Sequence, residues 1–242
     1  MPFLVVCLGP VACPGDEAPV TEPSATSALE ALLARAAAED KKVVVLFRKA
    51  DLKEDPMPDA FGAIRARLGD GALFLEIDAS DTGASGAVTR CQVDRIGSSA
   101  ILVLAPDGTV LHGFLTPPDA SLVGCIVASK VLADFRRALS SGGLLFVVVG
   151  PPQSESFREA VCQVRAYTLQ AREEAAILQV DSADPDEAFL LEQAGVERGA
   201  DRTTVCLLRA GESRGKLTGE ITVERIRAQM ERCAPGGCGP EG

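Results

Sequence analysis

The chain has 242 residues, with 34 acidic against 24 basic side chains and a net charge of -10, and at about 100 to 200 residues per domain it holds one large domain or two small ones. Hydrophobic residues make up 47% and charged residues 24%, with 23 Gly and 15 Pro, which excludes a disordered, collagen-like or disulfide-dense chain. No Lys/Arg stripe is present, so nucleic acid is not an expected partner, and one His, one Tyr and no Trp leave little for general-base chemistry or for stacking on bases and sugars.

Residues 1–24 read as a signal-like or disordered segment. Phe3 to Leu8 is an apolar run too short to span a bilayer, and Gly9-Pro10-Val11-Ala12-Cys13 follows it, leading into an acidic, Pro-rich stretch. Val11-Ala12-Cys13 resembles a lipobox in which Cys13 would carry a lipid anchor, although Pro10 stands where Leu is usual and a basic n-region is missing. The expectation is an extracytoplasmic protein, periplasmic or membrane-anchored through that lipid, without a transmembrane span. A cytoplasmic chain is the alternative.

The rest of the chain repeats itself at a spacing of 103 residues. Val43-Val44-Val45-Leu46 falls on Phe146-Val147-Val148-Val149, LEIDASD falls on LQVDSAD, and Leu104 and Gly108 then meet Leu207 and Gly211 without a gap. Two unrelated domains sharing generic Val-rich strands would not align loop residues as well. Duplication of one domain is the better account, with units at 25–127 and 128–232 and a Cys/Gly/Pro tail at 233–242. The short link around Val127 to Ser129 makes the units close neighbours and leaves a pseudo-twofold contact between them open.

Within the first unit, Ser27 and Glu30 form a capping box at a helix start, and Leu29, Leu32, Leu33 and Ala36 form its apolar stripe. The second unit opens at Ser129, with Val131, Leu132, Phe135 and Leu139 inward. Short continuous apolar runs follow, Val43 to Phe47 and Leu144 to Val149, as expected of strands buried on both faces. A helix comes next in each unit, marked by Phe61, Ile64 and Leu68, and by Phe157, Val161 and Val164 behind a Ser156/Glu159 capping box. Second strands at Ala72 to Ile77 and Ala176 to Val180 must run parallel to the first. Ile101 to Leu104, a Pro106-Asp107-Gly108 turn and Thr109 to Phe114 read as a hairpin. Final helices run from Ala120 to Val127 and from Thr222 to Met230, with Thr222 as N-cap.

This order, with LEIDASD ending a strand and the hairpin ILVLAPDGTVLHGF behind it, resembles the thioredoxin-like superfamily. The fold it implies is α/β, a tandem repeat of two thioredoxin-like α/β/α sandwich domains with mixed central sheets. The layout is also similar to that of exported bacterial thioredoxin-domain proteins. The family places a Cys-x-x-Cys where a helix N-terminus stabilises a thiolate. The equivalent positions here carry no sulfur: Ala50, Asp51 and Lys53 in the first unit, Ser154 and Phe157 in the second. A cis-Pro expected before the hairpin is replaced by Ser98-Ser99-Ala100 and by Arg202-Thr203-Thr204. The resemblance therefore implies a redox-silent tandem module that binds or scaffolds a protein partner, as redox-silent domains of protein disulfide isomerases do. No cofactor and no enzymatic activity are expected.

The cysteines carry the alternative. Cys125 and Cys162 fall on apolar helix positions and Cys206 inside a strand, where Cys acts as a small hydrophobe; Cys91, on the link before the hairpin, is expected to be partly exposed. Cys233 and Cys238 enclose Ala-Pro-Gly-Gly, a spacing that lets two sulfurs close a disulfide, exchange thiols or clamp a soft metal. A structural zinc needs four ligands and this tail offers two. The acidic loop Asp51, Glu54, Asp55, Asp59 reads as solvated, His112 as a solvated strand residue, and Ser154 and Ser156 as caps. GESRGKLT, starting at Gly211, has the wrong spacing and follows the wrong strand for a phosphate loop.

Overall fold

The computed structural model describes residues 24–50, 52, 54–209 and 212–232. The first of its two units runs α1 (Ala25–Glu39), β1 (Lys42–Arg48), α2 (Met57–Leu68), β2 (Ala72–Asp78), α3 (Ser85–Arg90), β3 (Ala100–Leu104), β4 (Val110–Phe114) and α4 (Ala120–Ala128). The second repeats that order as α5 (Leu132–Ser140), β5 (Leu144–Gly150), α6 (Glu155–Ala171), β6 (Ala175–Asp181), α7 (Ala188–Ala194), β7 (Thr204–Arg209), β8 (Glu212–Thr218) and α8 (Val223–Arg232). Each unit has one four-stranded mixed sheet, ordered β2-β1-β3-β4 and β6-β5-β7-β8. The central strand lies parallel to the strand that its crossover helix leads to and antiparallel to the first strand of the hairpin.

Local chemistry explains most element boundaries. The Ser24 side chain accepts the amide of Ser27, so α1 starts one turn earlier than a cap at Ser27 would place it. Ahead of α5, whose N-cap is Val131, the Ser129 hydroxyl accepts the amide of Leu132 at 3.1 Å, and Thr222 caps α8 by accepting the amide of Arg225 at 3.3 Å. α6 is capped by Ser154 rather than Ser156, its side chain accepting the amide of Phe157. The β3–β4 turn holds Gly108 at φ 85°, where a Cβ would also run into the Arg90 guanidinium.

Strand register corrects the repeat. Lys42 of β1 occupies the place of Leu144 of β5, an offset of 102, while Ala72 and Ala175 in the neighbouring strands keep 103 and Val43's partner Leu104 matches Leu145's partner Leu208 at 104. The alignment therefore carries single-residue shifts. In a strand a shift of one exchanges the two faces, and an ungapped comparison of apolar runs is blind to it because β1 and β5 are buried on both faces.

Three apolar clusters divide the molecule. One lies between sheet and helices on the α1/α3 side of the first unit, around Leu29, Val45 and Leu102. A second lies on the α6/α8 side of the second unit, around Phe146, Phe157 and Ile226. The third and largest joins the units: Leu46, Phe61, Ile64 and Ile126 from the first are continuous with Leu132, Phe135, Val147, Phe189 and Leu190 from the second. The α2/α4 face of one unit thus packs on the α5/α7 face of the other. Because α5 and α7 correspond to α1 and α3, the stacking is head to tail and not pseudo-twofold. α4 and α7 are in contact across the junction: in α4 only Ser121 is exposed, and α7 turns Phe189, Leu190 and Leu191 inward while Glu192 and Gln193 stay exposed.

Candidate functional site

In each unit the carboxyl ends of the parallel strands face the N-terminus of the crossover helix, the place where open α/β sheets set their chemistry. In the first unit Ser99, just before β3 and 1% exposed, accepts the Lys49 amide at 3.0 Å and donates its hydroxyl to Asp55 Oδ2 at 2.6 Å. Asp55 Oδ1 in turn accepts the amide of Met57 at 3.0 Å, so the carboxylate ties the start of α2 to the loop before β3. Beside this lies an open depression of about 620 Å3 lined by Lys49, Ala50, Ala79 and Ser80. The Ser80 hydroxyl donates to Asp78 and holds its carboxyl below the usual range.

The second unit makes the same link from different residues. Thr203, also 1% exposed, shares a hydrogen bond with Ser156 at 3.0 Å, joining the first turn of α6 to the loop before β7. Ser154 accepts the Phe157 amide at 3.1 Å and donates to the Pro151 carbonyl at 2.9 Å. Gly150 permits the approach, since a Cβ there would stand 3.2 Å from the Thr203 Cα. Phe157 is buried in the core of the unit, 2% exposed, so its side chain belongs to the packing rather than to the surface of this end. In the first unit α2 begins only at Met57, which leaves Ala50 in a turn ahead of the helix. Asp51 and Lys53 lie outside the described residues, as do Cys13, Cys233, Cys238 and Gly211.

The four cysteines among the described residues are all free. Cys91 is buried, not partly exposed, because it packs with Val93 into the apolar cluster around Leu29, Val45 and Leu102, and burial pushes its thiol up to about 11. Cys206 is buried in β7 with its sulfur 3.8 Å from the Ala194 carbonyl, and burial raises its thiol as well. Cys125 is half-buried and Cys162 is exposed, the latter because α6 turns its neighbour Val161 inward and Cys162 itself to solvent. His112 is half-buried rather than fully solvated: it packs against Phe114 and, across the junction, against Phe189. No group of three or more His, Cys, Asp or Glu side chains among the described residues is placed to hold a metal, and no helix among them is long and apolar enough to cross a membrane.

One polar cluster escaped the sequence reading. Glu187, 3% exposed, accepts the Ser129 hydroxyl at 2.6 Å and the amides of Lys130 and Val131 at 2.9 and 3.2 Å. From the other unit Lys42 donates to the carbonyls of Val127 and Ser129, both at 2.6 Å. Burial lowers the Lys42 pKa while the Glu187 charge opposes that shift. The link is thus gripped from both sides. The available signal was a departure from the repeat: Glu187 stands where the first unit has Ala84, and Lys42 where the second has Leu144.

Two mixed sheets with this strand order, each flanked by helices on both faces, make the chain a tandem of two thioredoxin-like units. No protein-family model and no curated protein matches the sequence. Among solved structures, Trxlp from Edwardsiella tarda is similar at 19% identity over 42% of this chain and 93% of its own, with a TM-score of 0.35. Thioredoxin O2 from Arabidopsis thaliana in its oxidised state is similar at 15% identity over 41% of this chain and 86% of its own, TM-score 0.33. The bb fragment of ERp72 spans both units, at 17% identity over 88% of this chain and 96% of its own, TM-score 0.29.

Proposed function

We propose that the chain is a redox-silent pair of thioredoxin-like domains, divided near residues 127 and 128, that binds or scaffolds a protein partner. The observation carrying this reading is that the end of each unit where a dithiol would sit is closed by an internal hydrogen bond, Asp55 to Ser99 and Ser156 to Thr203. Neither link contains an atom that can exchange a disulfide. The buried junction adds to it, because a fixed arrangement of two units offers one extended surface rather than two tethered ones. The test is reduction of an insulin disulfide by dithiothreitol, with and without the full-length protein. No acceleration is expected. Acceleration that Cys233→Ser and Cys238→Ser abolish would establish thiol exchange by the tail instead.

The proposed setting is extracytoplasmic, with Cys13 as the lipid-bearing residue; the apolar run before Cys13 and the paired tail cysteines support it. Mass spectrometry of the natively expressed protein after differential alkylation is the check. A mature chain beginning at a lipidated Cys13 with Cys233 and Cys238 oxidised is expected, and an intact Met1 with a freely alkylating pair overturns it.

A further inference from the structure

The chain contains a single histidine, and the fold puts it on the seam between the units. His112, paired with Val103 of β3, is held edge-to-face between two rings: Phe114 of its own strand, with centroids 4.6 Å apart, and Phe189 of α7, at 5.2 Å. Arg136 of α5 donates its Nε to the carbonyl of Leu111 at 2.7 Å, which fixes a guanidinium beside the imidazole. We propose that His112 is an acid-sensitive latch, whose protonation loosens the packing of β4 on α5 and α7 and so frees the two units to move relative to one another.

The charges around the ring give the direction. β3 and β4 supply no charged residue besides His112. From α5, Arg136 faces the ring, while Asp134 and Arg137 are paired with each other and with Asp107. From α7 and its leading turn, Glu187 is committed to the link, Asp186 acts on Lys42, Asp184 caps the turn by accepting the Asp186 amide, and the exposed Glu192 lines a separate cavity beside Cys206. Among the described residues no carboxylate acts on the imidazole. Burial first, and the Arg136 charge second, hold the imidazole below its ordinary value of 6.5. A folded-state value below the unfolded one means that the stabilisation is complete above about 6.5 and is lost as the pH falls through the folded-state value. Attraction of a cation to the two ring faces acts the other way.

A lone histidine makes the test direct. The ring proton resonance of His112 in the full-length protein is followed by NMR from pH 8 to 4.5, in wild type and in Arg136→Gln, which removes the neighbouring positive charge. The midpoint is expected below 6.5 and should move up toward 6.5 in the variant. Hydrogen exchange at pH 5.5 and 7.5, corrected for intrinsic rates, should show β4 and α7 amides losing protection at the lower pH while β2 amides keep theirs. Thermal unfolding of His112→Gln should lose the part of the Tm decrease between those pH values that wild type shows. A midpoint at or above 6.5, protection unchanged at the junction, or a Tm decrease as large in His112→Gln as in wild type overturns the proposal. Should His112→Gln fail to fold, the wild-type titration and exchange still decide it.

Discussion

The hydroxyl of Ser129 meets the carboxylate of Glu187 at 2.6 Å across 58 residues of chain, and the same hydroxyl oxygen accepts the amide of Leu132. One buried acid of the second unit thereby satisfies the donors at the start of α5 and fixes the link to the first unit, in the position where a helix N-terminus favours negative charge. Glu187→Ala leaves the Ser129 hydroxyl and two amides without their acceptor and should destabilise the chain by about 2–4 kcal/mol. The urea midpoint measures this, and a loss below about 0.5 kcal/mol, the range of an ordinary surface substitution, would show that the link is held by other contacts.

Burial orders the thiols. In native protein the alkylation rates at pH 8 should follow Cys162 first, Cys125 second, and Cys206 and Cys91 far behind, because the last two are buried and have raised thiol pKa values. Peptide mapping after timed alkylation reads the order. Cys91 labelling as fast as Cys162 would mean that the turn after α3 opens in solution.

The start of α6 offers the helix N-terminus that lowers a thiol pKa. Ser154 stands at the N-terminus of the 17-residue helix α6, so Ser154→Cys should give a thiol of lowered pKa that alkylates faster at pH 7 than Cys162, at a cost of about 1 kcal/mol for the weaker cap. A rate no faster than that of Cys162 would show that the closed arrangement of Ser154, Ser156 and Thr203 no longer presents the helix dipole to solvent.

Acid acts on the caps. The amide of Ser121, donating to Asp119 at the start of α4, holds that carboxyl below its ordinary value, as the Ser80 hydroxyl does for Asp78. Their stabilisation is complete above about pH 4 and is lost as the pH falls through the lower folded-state values. Asp119→Ala should therefore lower Tm at pH 7, and the gap from wild type should close toward pH 2.5. A gap that persists at pH 2.5 would assign the effect of Asp119 to packing rather than charge.

The order of elements was legible because apolar runs, caps and the hairpin turn are local signals: Thr222 does cap α8, Ser129 does hold the first amide of α5, and Gly108 does take a positive φ. The junction was less legible. Its clues are differences between the repeats rather than features of either: α4 reads ASLVGCIVA where α8 reads VERIRAQMER, α7 reads AFLLEQA where α3 reads SGAVTR, and Glu187 and Lys42 replace Ala84 and Leu144. Searching for likeness suppresses such contrasts. The closed ends were hidden for another reason, since Asp55 and Ser99 are 44 residues apart and meet only through the crossover.

The helix shared between two cores also constrains how the polypeptide is made. During synthesis the first sheet is complete once α4 has left the ribosome, yet α4 then shows solvent the apolar side that α7 will cover some sixty residues later. The nascent first unit is accordingly sticky for the several seconds that elongation at about 5–20 residues per second takes to deliver α7. The polar outer side of α8 leaves no such exposure at the other end. Expression yield is thus tied to vectorial order, and a circularly permuted gene that begins at α5 and ends with α4 would still face a waiting interval, but with the apolar side of α7 as the exposed partner.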